Sequence, residues 1–367
     1  MDCGWIILQR GSRRFSASGL RIRDSKVFII HLFRAGIIFG CILGWLLAGC
    51  APEVMPLNPS PTAEIVVLAA AGEVDLSPAT PTATQEPQPT ITLGATPTWA
   101  ATLTPQARHD PPACRWEEWQ KMPVVPNYLS DRMGKVYEEG LRQGNSAHAF
   151  SVVGDCQNVP SVFLGVFENP SDYRLGEQYA YLQETIDWYA DSFEREGEAV
   201  SGGFNVATVL SPLRADPKAC LKGESPLVCE LRLNRPSVVF VSMETWWAKR
   251  PATVYEVYMR QVLDIILAHG AVPILVTKAD NLEGDHSVNL TIARLACEYE
   301  IPLYNFWLAA QPLPRHGLWS DGFHLTVGQD QFDNPQEMLS SRPVRNLMAL
   351  RTLEFVWKSL NSGMATP

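Results

Sequence analysis

Two short segments carry residues that could act together in nucleophilic catalysis. Gly154-Asp155-Cys156 follows a stretch that predicts a strand, and Asp321-Gly322-Phe323-His324 follows the last predicted strand. An aspartate and a histidine three residues apart can pair directly, so the carboxylate fixes the imidazole tautomer and leaves the other ring nitrogen free as a base. A turn from strand to helix is a good place to expose a nucleophile. The residue types therefore predict Cys156 as nucleophile, His324 as base and Asp321 as the residue that orients the base.

A fold must bring these two segments together, and the hydrophobic pattern predicts its elements. Predicted strands cover residues 148–153, 237–243, 271–277 and 301–306, and predicted helices cover residues 172–198, 251–269, 287–300 and 343–360. The run at 237–243 is apolar and β-branched, which is typical of a strand buried on both faces. On the helix at 251–269, the residues expected to share one buried stripe are Val254, Tyr258, Val262 and Ile266.

Strand and helix patterns alternate from residue 113 onward, which predicts a parallel sheet covered by helices on both faces. Ligands of such folds bind at the carboxyl ends of the strands. The two polar segments each follow a predicted strand, so we expect the site at that edge of the sheet.

The order and spacing of these segments resemble the SGNH/GDSL hydrolases. In that family a Gly-Asp-Ser segment after the first strand carries the nucleophile, and an Asp-x-x-His segment near the C-terminus supplies the other triad members. Here the second segment matches well over residues 321–324, and the first matches in two of three residues because Cys156 replaces serine. The resemblance spans residues 113–361. It implies a flavodoxin-like three-layer α/β/α sandwich with a mostly parallel sheet, and hydrolysis of ester or acetyl groups.

The resemblance also implies an oxyanion hole. Ser201-Gly202-Gly203-Phe204-Asn205 could stand for the family's glycine block, so that Gly202 or Gly203 offers an amide together with that of Cys156. The family's Gly-x-Asn-Asp block should follow the strand at 237–241, but Ser242-Met243-Glu244-Thr245 stands there instead. An ionised Glu244 would repel the oxyanion, and loss of one donor costs about 3 kcal/mol. A protonated Glu244 could still donate.

Cys156 has three interpretations: a working nucleophile, a structural disulfide partner, or a remnant in a protein that binds without catalysing. Once Cys50 is set aside, five cysteines remain after residue 50, so at least one is unpaired if the others form intramolecular disulfides. Cys220 and Cys229 are nine residues apart in a loop-like stretch and are the favoured pair. A Cys114–Cys156 pair remains open, and Cys297 is expected to be a small apolar residue inside a helix.

The N-terminal segment predicts export and lipidation. Seven Lys/Arg residues precede or enter a fifteen-residue run of small and apolar residues at 35–49, which is shorter than the ~20 residues needed to span a bilayer. Leu47-Ala48-Gly49-Cys50 resembles the lipobox of bacterial lipoproteins, which implies cleavage before Cys50 and attachment of lipid to its thiol. A single-pass anchor is the alternative. Either interpretation places the bulk of the chain outside the cytoplasm, attached to a membrane.

Composition divides the chain into four regions. Residues 1–49 are the predicted signal peptide, residues 50–112 a Pro/Thr-rich disordered linker, residues 113–361 the folded domain, and residues 362–367 a disordered tail. The net charge is −9, and removal of residues 1–49 leaves 23 basic and 37 acidic residues, or −14. Such an acidic chain is a poor candidate for nucleic-acid binding, which needs clustered Lys/Arg.

Three functions are compatible with these residues. The first is an ester or acetyl hydrolase, and tandem tryptophans at 246 and 247 point weakly to acylated glycans as substrate. The second is a non-catalytic surface protein that binds carbohydrate in the same pocket, which Glu244 would favour. The third is a thiol-dependent acyltransferase. No cofactor or metal is expected, because no phosphate-binding glycine loop occurs and the spacing of Asp280, Asp285 and His286 fits no strong ligand pattern.

Overall fold

The computed structural model of the 367-residue chain describes residues 114–243 and 250–362. All of these residues belong to one of the two compact units into which the chain divides. The strands are Ser146–Gly154 (β1), Tyr173–Arg174 (β2), Pro236–Ser242 (β3), Val272–Val276 (β4), Leu303–Tyr304 (β5) and Asp330–Gln331 (β6). The helices are Asp131–Arg142 (α1), Gly176–Tyr179 (α2), Gln183–Trp188 (α3), Pro226–Asn234 (α4), Ala252–Ala268 (α5), Ser287–Tyr299 (α6), Phe306–Ala310 (α7) and Ser341–Ser362 (α8).

The main sheet is parallel and has the strand order β1-β3-β4-β5. The crossover from β1 to β3 contains β2 and the helices α2, α3 and α4, the crossover from β3 to β4 contains α5, and the crossover from β4 to β5 contains α6. The register places Gly154, the last residue of β1, opposite Ser242, the last residue of β3. The carboxyl ends of these two strands therefore lie side by side, and the segments that follow them meet at one edge of the sheet.

Helices cover both faces of this sheet. On one face, α5 contacts both α4 and α6, as expected when successive crossovers share the right-handed sense. On the other face, α1 contacts β3, β4 and α8. All seven residues of β3 are buried, as the apolar run at 237–243 predicted. The predicted three-layer α/β/α architecture with a parallel sheet is confirmed.

Most long elements lie close to their predicted bounds, with two helices absent from the prediction. The strands at 148–153, 237–243 and 271–277 and the helices at 251–269, 287–300 and 343–360 correspond to β1, β3, β4, α5, α6 and α8. The predicted stripe of α5 is partly wrong, because Val254 is exposed and Tyr255 and Met259 are buried in its place. The long unpredicted helices are α1, which Ser130 caps, and the nine-residue α4; the five-residue α7 was not predicted either.

The predicted helix at 172–198 is wrong. That stretch contains β2, which pairs with β6, then the short helices α2 and α3, and then irregular backbone. The carboxylate of Glu168 accepts hydrogen bonds from the backbone N–H groups of Asp191 (2.9 Å) and Phe193 (3.1 Å), and Asp191 has a positive φ of 69°. These bonds hold the chain out of helical geometry, and a helical apolar pattern alone cannot reveal them.

Two disulfides join cysteines within the described ranges. Cys220 pairs with Cys229, which confirms the pair favoured by spacing. Cys114 pairs with Cys297, with 5.6 Å between their Cα atoms, so the expectation that Cys297 is a plain apolar residue is wrong and a Cys114–Cys156 bond is excluded. A residue 183 positions away cannot be identified as a partner from sequence spacing. Within the described ranges, no helix combines the length and apolar character needed to cross a bilayer.

Candidate active site

The first segment of the site is a tight turn at the end of β1. Asp155 is fully buried, and its Oδ1 accepts hydrogen bonds from the backbone N–H of Gln157 (2.9 Å) and from Nδ2 of Asn158 (3.2 Å). It thereby caps the short 3₁₀ helix Cys156–Asn158. A Cβ at Gly154 would lie 2.3 Å from Cβ of Asn158, so only glycine fits there. The turn exposes part of Cys156 at the first position of the helix.

Cys156 is itself disulfide-bonded in this structure. A sulfur in a disulfide has no thiolate to attack a carbonyl carbon, since the thiolate is the nucleophilic form of cysteine. Of the three interpretations that the sequence left open, the observed state is the disulfide. A catalytic role requires that this bond first be reduced.

The guanidinium of Arg345, on α8, lies behind the turn. Its Nη1 donates to the carbonyl oxygen of Gln157 (2.6 Å), and its Nη2 donates to Oδ1 of Asn158 and to Oγ of Ser242 (both 2.8 Å). The guanidinium also lies 4.3 Å from the ring centroid of Phe163. Asn158 Nδ2 donates to the carbonyl oxygen of Ser242 (2.8 Å). Arg345, only 1% exposed, therefore ties the Cys156 turn to the end of β3.

The glycine block follows a segment that is hydrogen-bonded to the end of β1. Ala199 and Ser201 bond to both sides of Gly154: its N–H donates to the Ala199 carbonyl (3.1 Å), and its carbonyl accepts from the Ser201 N–H (3.4 Å). A methyl group added at Gly202 would lie 3.9 Å from Cβ of Cys156. Gly203 has a φ of +84°, which suits glycine at the turn. The backbone of residues 199–203 thus lies along the Cys156 turn.

The side chain of Asn205 forms hydrogen bonds with the backbone of its own loop. Its Oδ1 accepts hydrogen bonds from the N–H groups of Ala207 (2.9 Å) and Thr208 (3.0 Å), and it is 2% exposed. This is a local cap of the kind that asparagine favours. Its side-chain oxygen is therefore committed to the loop, and only its amide group is left for a role at the site.

The second segment pairs Asp321 with His324 as the spacing predicted. Oδ2 of Asp321 lies 2.6 Å from Nδ1 of His324, while Oδ1 accepts the backbone N–H groups of Phe323 and His324 (both 3.0 Å). Gly322 has a φ of +70°, which lets the chain turn back on the carboxylate. Within the described ranges nothing is hydrogen-bonded to Nε2 of His324. The geometry thus orients the ring through Nδ1 and leaves the other nitrogen available.

Electrostatics keeps Asp321 charged. Burial by itself would raise the pKa of this carboxyl, but the hydrogen bonds from His324 and from two backbone N–H groups outweigh it and lower the pKa to about 2. A carboxylate at neutral pH accepts the Nδ1–H of the imidazole, which fixes the tautomer that carries a lone pair on Nε2.

A long contact joins the two segments. Nε2 of Gln157, next to Cys156, lies 3.5 Å from the carbonyl oxygen of Phe323, next to His324. The turn after β1, the glycine block and the Asp321–His324 loop therefore belong to one region of the molecule. Glu244, Trp246, Trp247 and the lipidation residue Cys50 lie outside the described residues.

The two carboxylates that could suggest a metal have other partners, and the ring of His286 packs against those of Trp119 and Trp307. Asp280 Oδ1 pairs with the buried ammonium of Lys278 (2.7 Å), and Asp285 Oδ1 accepts the N–H of Ser287 (3.0 Å). Within the described ranges, one trio of potential ligands lies close together: Glu198, Cys220 and Cys229. Both of its sulfurs are joined in a disulfide, so the trio does not offer thiolates in this state.

Sequence reasoning missed two buried charges at the site, Arg345 and Glu230. Arg345 was visible only as one of three cations, with Arg351 and Lys358, in the largely apolar helix predicted at 343–360. Glu230 lies in α4, which was not predicted at all. Because charged residues are almost never fully buried unless paired, such a residue inside an apolar helix is the available signal. Such a residue indicates that a polar partner lies in the protein interior, but the sequence does not show which residue that partner is.

We predict that Arg345→Met lowers the free energy of unfolding by about 2–4 kcal/mol, because it leaves three buried acceptors without their donor. The measurement is denaturant unfolding of the full-length protein. Arg342→Met is the matched control on the same helix, since Arg342 is more exposed and donates to the carbonyl of Ser161; we expect a loss below about 1 kcal/mol. Equal losses in the two variants would contradict the role given to Arg345.

The Asp321 carboxyl is predicted to titrate near pH 2, below its ordinary value of 3.8. Because the folded-state pKa is lowered, the stabilisation it provides is fully present above about pH 4 and is lost as the pH falls toward 2. The ¹³C carboxyl shift of Asp321, followed by NMR with folding checked at each pH, measures the midpoint. In His324→Ala the main hydrogen-bond donor is gone, so we expect a higher midpoint. A wild-type midpoint at or above 3.8 would refute the pairing.

Comparisons with known proteins do not establish a family or an activity for this chain. No protein-family model matches the chain, and no curated protein matches it. Among solved structures, TesA is 16% identical with a TM-score of 0.33, over 58% of this chain and 98% of TesA. The psychrotrophic esterase EstA from Pseudoalteromonas sp., in a structure inhibited by monoethylphosphonate, is 12% identical with a TM-score of 0.33, over 60% of this chain and all of EstA. At these values neither similarity establishes an activity for this chain.

Proposed function

We propose that this chain is an extracytoplasmic, lipid-anchored protein whose domain hydrolyses ester or acetyl groups through Cys156, His324 and Asp321. The observation that carries the proposal is the 2.6 Å contact between Asp321 Oδ2 and His324 Nδ1, in a loop that also contacts the Cys156 turn. Acyl transfer requires an oriented imidazole within reach of the nucleophile, and the proposal is supported by the contact of the His324 loop with the turn that carries the partly exposed Cys156.

The reaction proceeds in two halves. The thiol of Cys156 loses its proton to Nε2 of His324, and the thiolate sulfur bonds to the carbonyl carbon. The C–O bond then breaks, the leaving alcohol takes the proton from His324, and the acyl group remains on Cys156 as a thioester. Water next attacks the thioester while His324 accepts its proton. The C–S bond breaks, the acid departs, and the proton returns to the Cys156 sulfur.

Backbone amides stabilise the charge that develops on the carbonyl oxygen. We assign this role to the N–H groups of Cys156 and Gly202, since a Cβ added at Gly202 would come within 3.9 Å of Cβ of Cys156. Such donors act strongly because they are held in place before the reaction begins. Gly203, Asn205 and Glu244 are proposed to line the adjoining substrate site, and an acylated glycan is the proposed natural substrate.

The proposed processing removes residues 1–49 and occupies the Cys50 thiol, and the other four cysteines after Cys50 pair with one another. The disulfide at Cys156 therefore makes this activity conditional in the full-length chain, and it cannot persist in the cleaved and lipidated protein. A thiol reductant must exchange with the disulfide to release the Cys156 thiolate, and the reductant becomes the oxidised partner. The proposed enzyme is therefore inactive in the observed state and active after reduction. A serine at the same position would need no reduction, which gives the proposal a sharp test.

Carbohydrate binding without catalysis is the second candidate. The disulfide at Cys156 favours it, because this bond occupies the only sulfur that the proposed triad offers. An anionic Glu244 in the oxyanion hole would favour it further. In this alternative the pocket keeps the shape of a hydrolase site but holds an uncleaved glycan.

The first test is turnover of a chromogenic acetyl ester by the full-length protein, with and without a dithiol reductant. We expect wild type to be active only with reductant, Cys156→Ala to fall to background, and His324→Ala to lose about 10²- to 10⁴-fold. Cys156→Ser should be active regardless of reductant. The matched control is His148→Ala, because His148 lies near the start of β1, at the strand end opposite Cys156, and stacks on Trp188.

Each pattern of results decides between the candidates. Reductant-dependent turnover that Cys156→Ala abolishes supports the hydrolase. Equal activity of wild type and Cys156→Ala would reject Cys156 as nucleophile. If every variant, including Cys156→Ser, is inert toward small esters and acetylated glycans, the hydrolase is rejected. Retention on a glycan array would then support the binding protein.

The lipid anchor rests on the sequence at residues 47–50. We expect the protein expressed in a bacterium to incorporate labelled palmitate and to partition with membranes. Cys50→Ser should abolish both, because the thiol that accepts the lipid is lost. Cys41→Ser, in the same apolar run, is the matched control and should leave both unchanged. Palmitate labelling that persists in Cys50→Ser would refute the predicted attachment site.

A further inference from the structure

We propose that Glu230 on α4 is a positioning residue that holds the glycine turn at 201–204 beside Cys156. The expected effect of Glu230 on the reaction rate rests on the proposed function. The expected effect on the position of the turn rests only on contacts among the described residues. Glu230 was not among the predicted site residues, and it touches neither Cys156 nor His324 in the described contacts.

The Glu230 side chain is fully buried and its carboxylate is surrounded by donors. Oε1 accepts a hydrogen bond from Oγ of Ser151 (2.5 Å), and Oε2 accepts the backbone N–H of Glu198 (2.8 Å). The guanidinium of Arg195 forms an ion pair with the same carboxylate. Burial of an unpaired carboxylate is very costly. The three donors therefore constrain the position of residues 195–198 relative to α4 and β1.

The backbone approaches this carboxylate closely. A Cβ at Gly197 would lie 3.0 Å from Oε2 of Glu230, tighter than ordinary van der Waals contact. Glycine thus lets the segment pass against the carboxylate, and the N–H of the next residue, Glu198, points into it. The segment is anchored by a specific contact, in addition to general packing.

From this anchor the chain runs directly to the proposed oxyanion donor. Ala199 and Ser201 each share one hydrogen bond with Gly154, and the second of these is long at 3.4 Å. Gly202 is the next residue, and a Cβ added there would lie 3.9 Å from Cβ of Cys156. The turn closes with the Phe204 N–H donating to the Ser201 carbonyl (3.1 Å). Loss of the Glu230 anchor would leave the turn attached to β1 chiefly through Gly154.

The element that carries Glu230 is itself rigid. Ser225 caps α4, accepting the N–H of Val228, and Cys229 ties the helix to Cys220 through a disulfide. The helix also contacts β1. Small displacements of a catalytic group cost large factors in rate, so a fixed helix is a suitable base from which to hold the turn.

A carboxylate suits this role better than an amide. Both of its oxygens accept hydrogen bonds, and here both receive donors. In Glu230→Gln one acceptor becomes an NH₂ group that faces Arg195, Ser151 or the Glu198 N–H, so at least one contact is lost. The side-chain volume is nearly unchanged, which makes the variant a test of hydrogen bonding and charge.

The kinetic test uses the full-length protein in a Cys156→Ser background without reductant, so that the Cys220–Cys229 disulfide of α4 stays intact, with the chromogenic acetyl ester as substrate. We expect Glu230→Gln to lower kcat about 10- to 100-fold with KM changed less than about 3-fold, because a displaced oxyanion donor weakens binding of the transition state alone. Ser151→Ala removes one donor to Glu230 together with an acceptor for Asn234 and Arg195. It should show a smaller fall in kcat and keeps the test valid if Glu230→Gln folds poorly. An unchanged kcat, or a rise confined to KM, would overturn the proposal.

The matched control is Glu224→Gln. Glu224 pairs with Arg232 of the same helix α4 (2.6 Å) but makes no described contact with residues 195–203. We expect its kcat to stay within about 2-fold of the Cys156→Ser parent. A loss as large as that in Glu230→Gln would show a general loosening of α4 and would contradict a specific role for Glu230.

Amide hydrogen exchange separates this proposal from the proposed catalysis. We expect the amides of residues 199–204 to exchange at least about 10-fold faster in Glu230→Gln than in Glu224→Gln. Unchanged exchange would refute the positioning role whatever the activity. Faster exchange in a protein that is inert toward every ester would uphold the positioning role and reject the hydrolase.

Discussion

A buried guanidinium joins the elements on which the site depends. Moving a charge out of water costs several kcal/mol, and Arg345 offsets that cost with short hydrogen bonds to the Cys156 turn and to Ser242, and with a stacked ring at Phe163. These bonds can form only if α8 packs against the carboxyl edge of the sheet, because the Arg345 side chain must reach the ends of β1 and β3 at the same time. Burial of the apolar surface of α8 packs the helix against the sheet. The hydrogen bonds of Arg345 then fix the position of the helix along its axis.

The remaining site segments are held by carboxylates that accept backbone N–H groups. Asp155 and Asp321 act within their own loops, where bonds to residues two or three positions away form whenever the turn forms. Glu230 acts at long range and needs α4 in place before it can receive the Glu198 N–H. Loops lack the repeating hydrogen bonds of helices and strands. These carboxylates accept loop N–H groups instead and thereby fix the loop conformations near Cys156.

The cysteines link the structure to its proposed surroundings. Cys114–Cys297 and Cys220–Cys229 close a long and a short loop, and structural disulfides persist in oxidising compartments. Such a compartment agrees with the proposed export of the chain. It also bears on Cys156, because the conditions that preserve the structural disulfides disfavour a free thiolate there. In the full-length chain, before cleavage and lipidation, the proposed activity would then depend on a reductant that reaches Cys156 and leaves the other two bonds intact.

The sequence by itself determined the features that depend on near neighbours. These are the buried runs of β1, β3 and β4, the alternation that implies a parallel sheet, the Cys220–Cys229 pair and the contact of Asp321 with His324 three residues on. Only the tertiary structure decided which residues pair with Arg345, Glu230 and Cys297. It also decided that residues 172–198 do not form one continuous helix, because part of their backbone is hydrogen-bonded to Glu168. The physical reason is distance along the chain. A hydrogen bond across three residues is set by local backbone geometry, whereas a bond across a hundred residues exists only after packing has brought its two ends together.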